Sequence, residues 1–334
     1  MFFDGFSLFS FRFFPGVNDM YGSHFGLKEL PFTITPDTSF FFAHSSHQVA
    51  LNTLLVAARS GEGFMKVIGE VGIGKTLLCR KFLGALNHRE FVTAYIPNPY
   101  LQPMTLLLAC ADELGIKYPQ YINQHQLLRL LNRYLIDSYA KGKRVLLCLD
   151  EAQAIPIETL ESLRLLSNLE TERRKLMQVV LFGQPELNAR LDNPSIRQLK
   201  QRICFACQLS PLNMSEVEFY ISHRLAVAGY RGPRLFPHRA VKAIYRVSNG
   251  VPRLVNILAH KALMAAFGEG ARVVADRHVR MAVADTESTQ GALTVKARIK
   301  KYLTALVSAV TAISLLPLTT LVLTGATLVT GSPV

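Results

Sequence analysis

The stretch Phe64-Met-Lys-Val-Ile68, followed by Gly69-Glu-Val-Gly-Ile-Gly-Lys75-Thr76, decides the fold of this chain. Its first part is short and mostly apolar, which predicts a buried strand, and a helix is predicted from Thr76 to Leu86. The glycines between them fit G-x-x-x-x-G-K-[ST], a loop whose backbone N–H groups and helix N-terminus face phosphate oxygens. We therefore expect a nucleotide to be held by the loop and the first helical residues: Gly69, Glu70, Val71, Gly72, Ile73, Gly74, Lys75, Thr76 and Leu77.

Side chains of this loop and of a second strand end supply the charges for phosphate chemistry. We expect Lys75 to neutralise the β- and γ-phosphates, and the Thr76 hydroxyl to hold Mg²⁺. Val145 to Leu149 is a continuous apolar run, typical of a central parallel strand that is buried on both faces. It delivers Asp150 and Glu151 to its carboxyl end, where open α/β sheets bind ligands. Asp150 is expected to reach Mg²⁺ through a water, and Glu151 to polarise a water toward the γ-phosphate of ATP.

A third polar residue follows another predicted strand. The run from Gln178 to Phe182 leads into Gly183 and Gln184. We expect Gln184 to hold the attacking water or to sense the γ-phosphate. The alternative interpretation of Gly-Gln-Pro at this point is a simple turn.

Strands and helices alternate as far as Pro211, and only helices are predicted after it. The predicted strands cover residues 64–68, 91–96, 144–149, 178–182 and 203–209. This alternation indicates a parallel sheet covered by helices, preceded by an extended lead-in over residues 22–42. Beyond Pro211, Asn213 and Glu216 predict a capped helix start. The fold class is therefore α/β, a P-loop parallel-sheet sandwich followed by a small all-helical domain.

Composition indicates a folded protein with two unusual ends. Of its 334 residues, 49% are hydrophobic and 18% are charged, which argues against disorder. Seven phenylalanines lie in the first 14 residues, without the pattern of a secretory signal. Residues 302–334 contain no charged residue, and 303–323 have the length of a membrane span. Basic residues just before them would keep the preceding chain on the cytoplasmic side; a buried or disordered apolar tail is the alternative.

Charge is unevenly distributed along the chain. The net charge is +13, and residues 213–301 contain 15 Lys and Arg against six Asp and Glu. This excess is expected to face an anionic membrane or nucleic acid, or to form a solvated face. Cys204 and Cys207 have C-x-x-C spacing, but on a predicted strand they face opposite sides. We expect them to be core thiols rather than metal ligands.

The three polar elements and the helical region resemble those of the AAA+ ATPases, and further motifs resemble the ExeA/GspA-type secretion ATPases. These motifs lie within residues 20–288: Tyr21-Gly-Ser-His-Phe25-Gly26-Leu27, Pro31-Phe32, Thr35-Pro36-Asp37, Asp150-Glu-Ala-Gln153, Leu165-Leu-Ser-Asn168-Leu-Glu170, Phe182-Gly-Gln-Pro-Glu-Leu187 and Arg197-Gln-Leu-Lys-Gln-Arg202. The resemblance implies an AAA+ nucleotide-binding domain at 20–211 and a helical lid domain at 212–290. Outside these lie an aromatic extension at 1–19, expected to be a gene-model artefact, a basic juxtamembrane stretch at 291–301, and the apolar tail at 302–334 with a candidate transmembrane helix at about 303–323.

The resemblance also implies roles for three arginines. Gly250-Val-Pro-Arg253 resembles the sensor-2 motif, which places Arg253 of the lid on the γ-phosphate. Arg202 resembles the arginine finger that reaches a neighbouring subunit, with Arg197 as the second choice. An arginine supplied in trans raises hydrolysis by about 10³–10⁵, so the resemblance implies a homo-oligomer in the form of a ring.

The implied function is Mg²⁺-dependent ATP hydrolysis that assists assembly of a type IV (MSHA-like) pilus or type II secretion machinery. Its partners would be inner-membrane proteins of that machinery, and its ATPase domain would lie in the cytoplasm, tethered to the inner membrane by the C-terminal segment. The alternative is an AAA+ DNA-associated regulator, replication-initiator-like or a transposition ATPase. Intact Lys75, Asp150 and Glu151 argue against a nucleotide-binding scaffold without turnover.

Overall fold

A five-stranded parallel sheet with strand order β2-β3-β4-β1-β5 is the centre of the molecule. The computed structural model describes residues 21–98, 100–167 and 175–286. The strands are β1 Phe64–Ile68, β2 Phe91–Ile96, β3 Arg144–Leu149, β4 Met177–Gly183 and β5 Ile203–Gln208. The predicted parallel sheet is confirmed, and each strand lies within one residue of its predicted bounds.

Twelve α-helices are assigned within the described residues. In chain order they are α1 Gly22–Phe25, α2 Ser45–Ser60, α3 Lys75–Ala85, α4 Pro103–Glu113, α5 Gln124–Ala140, α6 Ile157–Ser167, α7 Glu186–Leu191, α8 Arg197–Gln201, α9 Met214–Val227, α10 His238–Ser248, α11 Pro252–Gly268 and α12 Asp276–Ala284. Single 3₁₀ turns lie at Thr38–Phe40, Ala152–Ala154 and Pro194–Ile196.

Helices cover both faces of the sheet, which explains why its central strands lack polar alternation. Alternate residues of β3 enter two separate cores: Leu147 packs with α4, α5 and α6, whereas Leu146 packs with α2 and α3. All seven residues of β4 are buried. A parallel strand between two helical layers buries both of its side-chain rows.

The edge strand β5 departs from this pattern. Its residues alternate between half-buried and exposed, because β5 pairs with β1 alone. Cys204 is exposed and Cys207 is half-buried, whereas Cys79, Cys110 and Cys148 are buried. The prediction of a core thiol is therefore wrong for Cys204. Within the described residues, no group of three or more His, Cys, Asp or Glu side chains is arranged to hold a metal ion.

The first helix after β5 begins where the sequence predicts. Asn213 and Glu216 form a reciprocal capping box at the start of α9, which confirms the predicted cap. Between α10 and α11 the chain turns through Gly250 at φ +76°. A Cβ at Gly250 would lie 1.9 Å from the Leu212 carbonyl oxygen, and the Leu212 N–H donates to the Gly250 carbonyl. Glycine is required here because the two chain segments touch backbone to backbone.

The lead-in segment packs on these same helices. The Lys28 N–H donates to the Ala228 carbonyl at the end of α9 (2.8 Å), and the Tyr21 hydroxyl is 2.8 Å from His260 Nδ1 on α11. Helix α1 and the turn at Thr38–Phe40 interrupt the segment, so the prediction of a wholly extended lead-in is wrong.

Several predicted segments lie outside the described residues. They are the aromatic extension at 1–19, the basic stretch at 291–301 and the apolar tail with its candidate span at 303–323. Among the helices of the described part of the chain, none combines the length and the hydropathy that a membrane crossing requires.

Candidate nucleotide site

The Gly69–Thr76 loop joins the end of β1 to the start of α3, as the sequence predicts. Gly74 is the residue at the helix N-terminus, and Gly72 has φ +79°. Gly72 also lies against the start of α11, since a Cβ built on it would be 2.7 Å from Arg253 Cβ. The loop therefore turns tightly, with the unpaired N–H groups of the first helical turn at its open side.

Lys75 is the buried cation of the loop. Its side chain is 5% exposed, and Nζ donates to the carbonyls of Gly69 (2.8 Å) and Glu70 (3.0 Å). Burial lowers the pKa of Lys75, and the carboxylates of Glu151 and Asp150 counteract that shift. Carbonyl oxygens carry only partial charges, so a phosphate oxygen would be a stronger partner for this ammonium.

Asp150 follows β3 and is 2% exposed. Its carboxylate accepts from the Glu151 N–H (3.0 Å) and the Tyr95 hydroxyl (3.3 Å), and it also hydrogen-bonds to the Thr76 side chain. Burial raises the pKa of Asp150 despite these hydrogen bonds. A buried carboxylate beside a hydroxyl offers hard oxygen ligands that fit Mg²⁺, and a bound cation would compensate its charge.

Glu151 has a left-handed backbone conformation, with φ +52°. Its Oε2 accepts from Gln153 Nε2 (2.5 Å) and from Gln184 Nε2 (3.1 Å). Burial acts to raise the pKa of Glu151, but these two hydrogen bonds and the charge of Lys75 lower it overall. Such a carboxylate stays ionised at neutral pH and is fixed in direction, as a residue that polarises water must be.

Gln153 is a site residue that the residue-by-residue reasoning did not single out. Its Nε2 donates to Glu151, and its Oε1 accepts from the backbone N–H of Gln184 (3.0 Å). One side chain therefore connects the ends of β3 and β4. The available signal was its place two residues after Glu151 in the Asp-Glu-Ala-Gln motif.

An open cleft lies between the loop, the lead-in segment, the end of β3 and the helices α9 and α11. Its lining residues are Thr33, Ile34, Thr35, Pro36, Asp37, Val71, Gly72, Gly74, Lys75, Thr76, Leu77, Glu151, Tyr220, Arg224, Pro252, Arg253 and Asn256. Arg253 is exposed, and its backbone N–H donates to the Gly72 carbonyl (3.1 Å). The fold thus brings Lys75, Thr76, Glu151 and Arg253 to one cleft, with Gln184 held against Glu151.

A buried polar network joins the lead-in segment to helices α9 and α11 on one side of this cleft. Arg224 on α9 is 5% exposed; its guanidinium donates to the Pro31 carbonyl and to the Tyr220 hydroxyl, and it lies 4.5 Å from the centroid of the Phe40 ring. Asn256 accepts from Tyr220 (2.9 Å) and donates to the Thr33 carbonyl (3.2 Å). Sequence reasoning missed these side chains, because nothing local indicates that α9 turns them toward residues 31–33.

Arg202 and Arg197 lie away from the cleft of their own chain. Arg202 directly precedes β5, whose first residue pairs with Phe64 at the start of β1, whereas the phosphate loop follows the end of β1. Five strand residues at about 3.3 Å each separate the two ends by roughly 17 Å. Arg197 is exposed on α8. Neither arginine can act on a nucleotide in the same chain without a large movement.

Comparison with known proteins agrees with this architecture. The family model described as AAA domain matches residues 58–191. The solved structure of the ORC2 protein of Aeropyrum pernix in ADPNP-ADP complexes has a TM-score of 0.55 at 21% identity, covering 76% of this chain and 72% of that one. Cdc6p of Pyrobaculum aerophilum has a TM-score of 0.58 at 19% identity, covering 75% and 71%. The fold is a P-loop AAA fold, as predicted.

The chain also has a relative of higher sequence identity. General secretion pathway protein A of Aeromonas hydrophila is 41% identical over 263 residues, which are 79% of this chain and 48% of the relative. The chain therefore spans about half the length of the curated relative it matches. The chain is therefore similar to an AAA domain over residues 58–191 and to a general secretion pathway protein over 263 residues.

Proposed function

We propose that the chain binds ATP with Mg²⁺ and hydrolyses it to ADP and phosphate. The observation that carries this proposal is the Glu151 carboxylate, which two glutamine amides hold within the same cleft as buried Lys75 and Thr76. A binding site without turnover needs the phosphate loop but has no need of an oriented carboxylate beyond it.

Each residue has a distinct task in this proposal. Lys75 exchanges the Gly69 and Glu70 carbonyls for phosphate oxygens, and Thr76 and Asp150 hold Mg²⁺, which when bound neutralises charge on the β- and γ-phosphates. Glu151 accepts a hydrogen bond from the attacking water and aims it at the γ-phosphate. Gln184 shares that carboxylate, so it can report whether a γ-phosphate is present.

The lid and a neighbouring subunit complete the proposed site. Arg253 at the start of α11 adds positive charge beside the phosphate loop. Arg202, or as second choice Arg197, is proposed to enter the cleft of the next subunit in a ring. The position of Arg202 before the start of β5, away from the cleft of its own chain, agrees with this role. Hydrolysis is then weak at low protein concentration and rises with it.

Two variants test the reaction. Glu151→Gln should bind ATP as tightly as the wild type but hydrolyse it at least about 100-fold more slowly, whereas Lys75→Ala should lose nucleotide binding. Glu158→Gln, on the exposed start of α6, is the matched control and should retain activity. Wild-type turnover in Glu151→Gln would refute the proposed role of that carboxylate.

The process is proposed from the relative. Similarity to a general secretion pathway protein supports a role beside inner-membrane proteins of a type II secretion system or of an MSHA-type pilus, the latter corresponding to an MshM-like protein. The proposed location is the cytoplasmic side of the inner membrane, with the C-terminal segment as the tether. Carbonate extraction of membranes tests the tether, because release of the full-length chain would contradict it.

Nucleic acid is the second candidate partner, and one observation favours it. From Phe219 to Gly268 the chain has eight Lys and Arg and no Asp or Glu. Three of these residues, Arg239, Lys242 and Arg246, lie exposed along α10. DNA binding by this helix would weaken with salt at a log–log slope of about −3 for three phosphate contacts, and absence of salt-dependent DNA binding would remove this candidate.

A further inference from the structure

Two buried histidines lie beneath the phosphate loop, outside the cleft itself. His44 precedes α2 and His47 is in its first turn; their side chains are buried, at 5% and 4% exposure. The centroids of the two rings are 4.2 Å apart. Neither residue lines the cleft, so the proposed ATPase reaction gives them no task.

His47 touches the loop at the turn that precedes Lys75. A Cβ built on Gly74 would lie 3.1 Å from His47 Nε2, and the imidazole hydrogen-bonds to the Ile73 backbone. This hydrogen bond acts to raise the pKa of His47, as a bond donated by the imidazole does, and the Ile73 N–H itself donates to the Glu70 carbonyl (3.3 Å). We therefore assign the Ile73 carbonyl as the acceptor. We expect this contact to restrain the Ile73–Gly74 peptide, and with it the direction of the N–H groups that follow.

His44 connects the two histidines to helix α9. Its Nδ1 is 3.8 Å from Glu216 Oε1, which also accepts from the Ser45 hydroxyl (3.0 Å). Glu216 is the reciprocal partner of Asn213 in the capping box of α9. The first turn of α9 is therefore connected to the phosphate loop through two imidazoles in contact, tilted at 47° to each other, and we expect a shift of α9 to change the packing under Gly74.

We propose that His47 is a positioning residue of the phosphate loop, and that the contact between His44 and Glu216 makes its position depend on lid helix α9. The proposal rests on the proposed nucleotide binding and assigns part of that site's regulation. His47 acts through the Ile73–Gly74 peptide and does not touch the nucleotide. Its neutral N–H sets the loop geometry, and the volume of the ring alone does not.

Glutamine and leucine at position 47 separate the contribution of the imidazole N–H from that of the ring volume. A glutamine amide places an N–H near the position of the imidazole Nε2, whereas leucine fills similar space without a donor. We expect His47→Leu to raise the Kd for a fluorescent ATP analogue about 10-fold or more, as the loss of one buried hydrogen bond does. His47→Gln keeps the donor and should stay within about 3-fold of the wild-type Kd. His260→Leu, a histidine on α11 that contacts Tyr21, is the matched control and should leave Kd unchanged.

The melting temperature and the Kd, measured together, distinguish this positioning role from a general loss of stability. Thermal unfolding without nucleotide should show His47→Gln and His47→Leu within a few degrees of each other, while their Kd values differ. If affinity follows the melting temperature in both variants, or if His47→Leu binds as the wild type does, the positioning role is overturned. Lys75→Ala in the same assay separates the two hypotheses, since a wild type that binds no better than this variant refutes the nucleotide site itself.

The link to the lid has its own test. Glu216→Gln keeps an oxygen that accepts from the Asn213 N–H in the capping box, but it puts an uncharged amide N–H₂ in place of the Oε1 that accepts from Ser45 and lies 3.8 Å from His44. It should change Kd several-fold in the wild-type background and have little effect in the His47→Leu background, a non-additivity expected of residues that act through one contact. Additive effects of the two substitutions would refute the coupling.

Discussion

Replacement of Gly72 by alanine should separate the lid from the phosphate loop. Gly72 has φ +79°, its carbonyl accepts from the Arg253 N–H, and an added methyl carbon would lie 2.7 Å from Arg253 Cβ and 3.3 Å from Val251 Cγ1. Nonbonded carbons prefer about 3.5–4.0 Å. The start of α11 must therefore move by roughly 1 Å, or the loop must give way.

The expected loss of stability has two parts. An alanine in a left-handed conformation costs about 1–2 kcal/mol, and overpacking against the lid adds about 1–3 kcal/mol. Gly61→Ala measures the first part alone, because Gly61 has φ +85° and an added methyl there meets nothing within 4 Å. The difference between the two variants isolates the contact between loop and lid.

Urea unfolding of both variants provides the measurement, together with ATP affinity and turnover. We expect Gly72→Ala to lose about 1–3 kcal/mol more of its free energy of unfolding than Gly61→Ala, and to hydrolyse ATP at least several-fold more slowly. Gly61→Ala should retain wild-type turnover. Equal stability losses combined with equal turnover would show that Gly72 does not meet the lid in solution.

Three further predictions follow from hydrogen bonding and burial. Gln153→Ala removes a hydrogen bond that lowers the pKa of Glu151, so the acid limb of the pH–rate profile for ATP hydrolysis should move to higher pH, and an unshifted limb would contradict the assignment. Burial lowers the pKa of His47 to about 3, so the contribution of neutral His47 to stability is complete above the unfolded-state pKa and is lost as pH falls. Between pH 7 and 5 the wild type should therefore lose about 2 kcal/mol of its free energy of unfolding that His47→Gln does not lose. Urea unfolding at both pH values measures this difference. Arg224→Lys should lower the free energy of unfolding by about 2–3 kcal/mol, because an ammonium cannot donate to a carbonyl and two hydroxyls in the same fork. Exposed Arg272→Lys should change it by less than about 0.5 kcal/mol, and similar losses in the two variants would refute the importance of the fork.

Strand positions were predictable because each strand has its own local signal. The unbroken apolar run of Val145–Leu149 and the glycine-rich exit of β1 need no tertiary information, and both strands have the predicted bounds. Lys75, Asp150 and Glu151 follow from those strand ends. Gln184 was predicted as a site residue, but its hydrogen bond to Glu151 was not. That contact depends on the strand order, because β4 lies next to β3 in the sheet.

The errors have the same origin. Cys204 was expected in the core, but β5 is an edge strand, and edge position is a property of the whole sheet. Arg224 follows no motif; its burial results from α9 packing on residues 31–33, which are far away in sequence. Local sequence patterns therefore identified the strands and the candidates Lys75, Asp150, Glu151 and Gln184, and the family resemblance supplied the arginines. The contacts that hold these side chains in place required the folded molecule.

The order in which the cleft is assembled has a consequence for synthesis on the ribosome. Its walls come from residues 33–37, 71–77 and 252–256, together with Glu151, Tyr220 and Arg224. A nascent chain with a complete β1 and phosphate loop therefore still lacks the side of the site formed by α9 and α11. Domains fold as units while the chain emerges, and here the last wall emerges well after all five strands. Stalled nascent chains that end before Pro252 should therefore retain ATP poorly, and nucleotide retention would mark the moment at which the lid has been made.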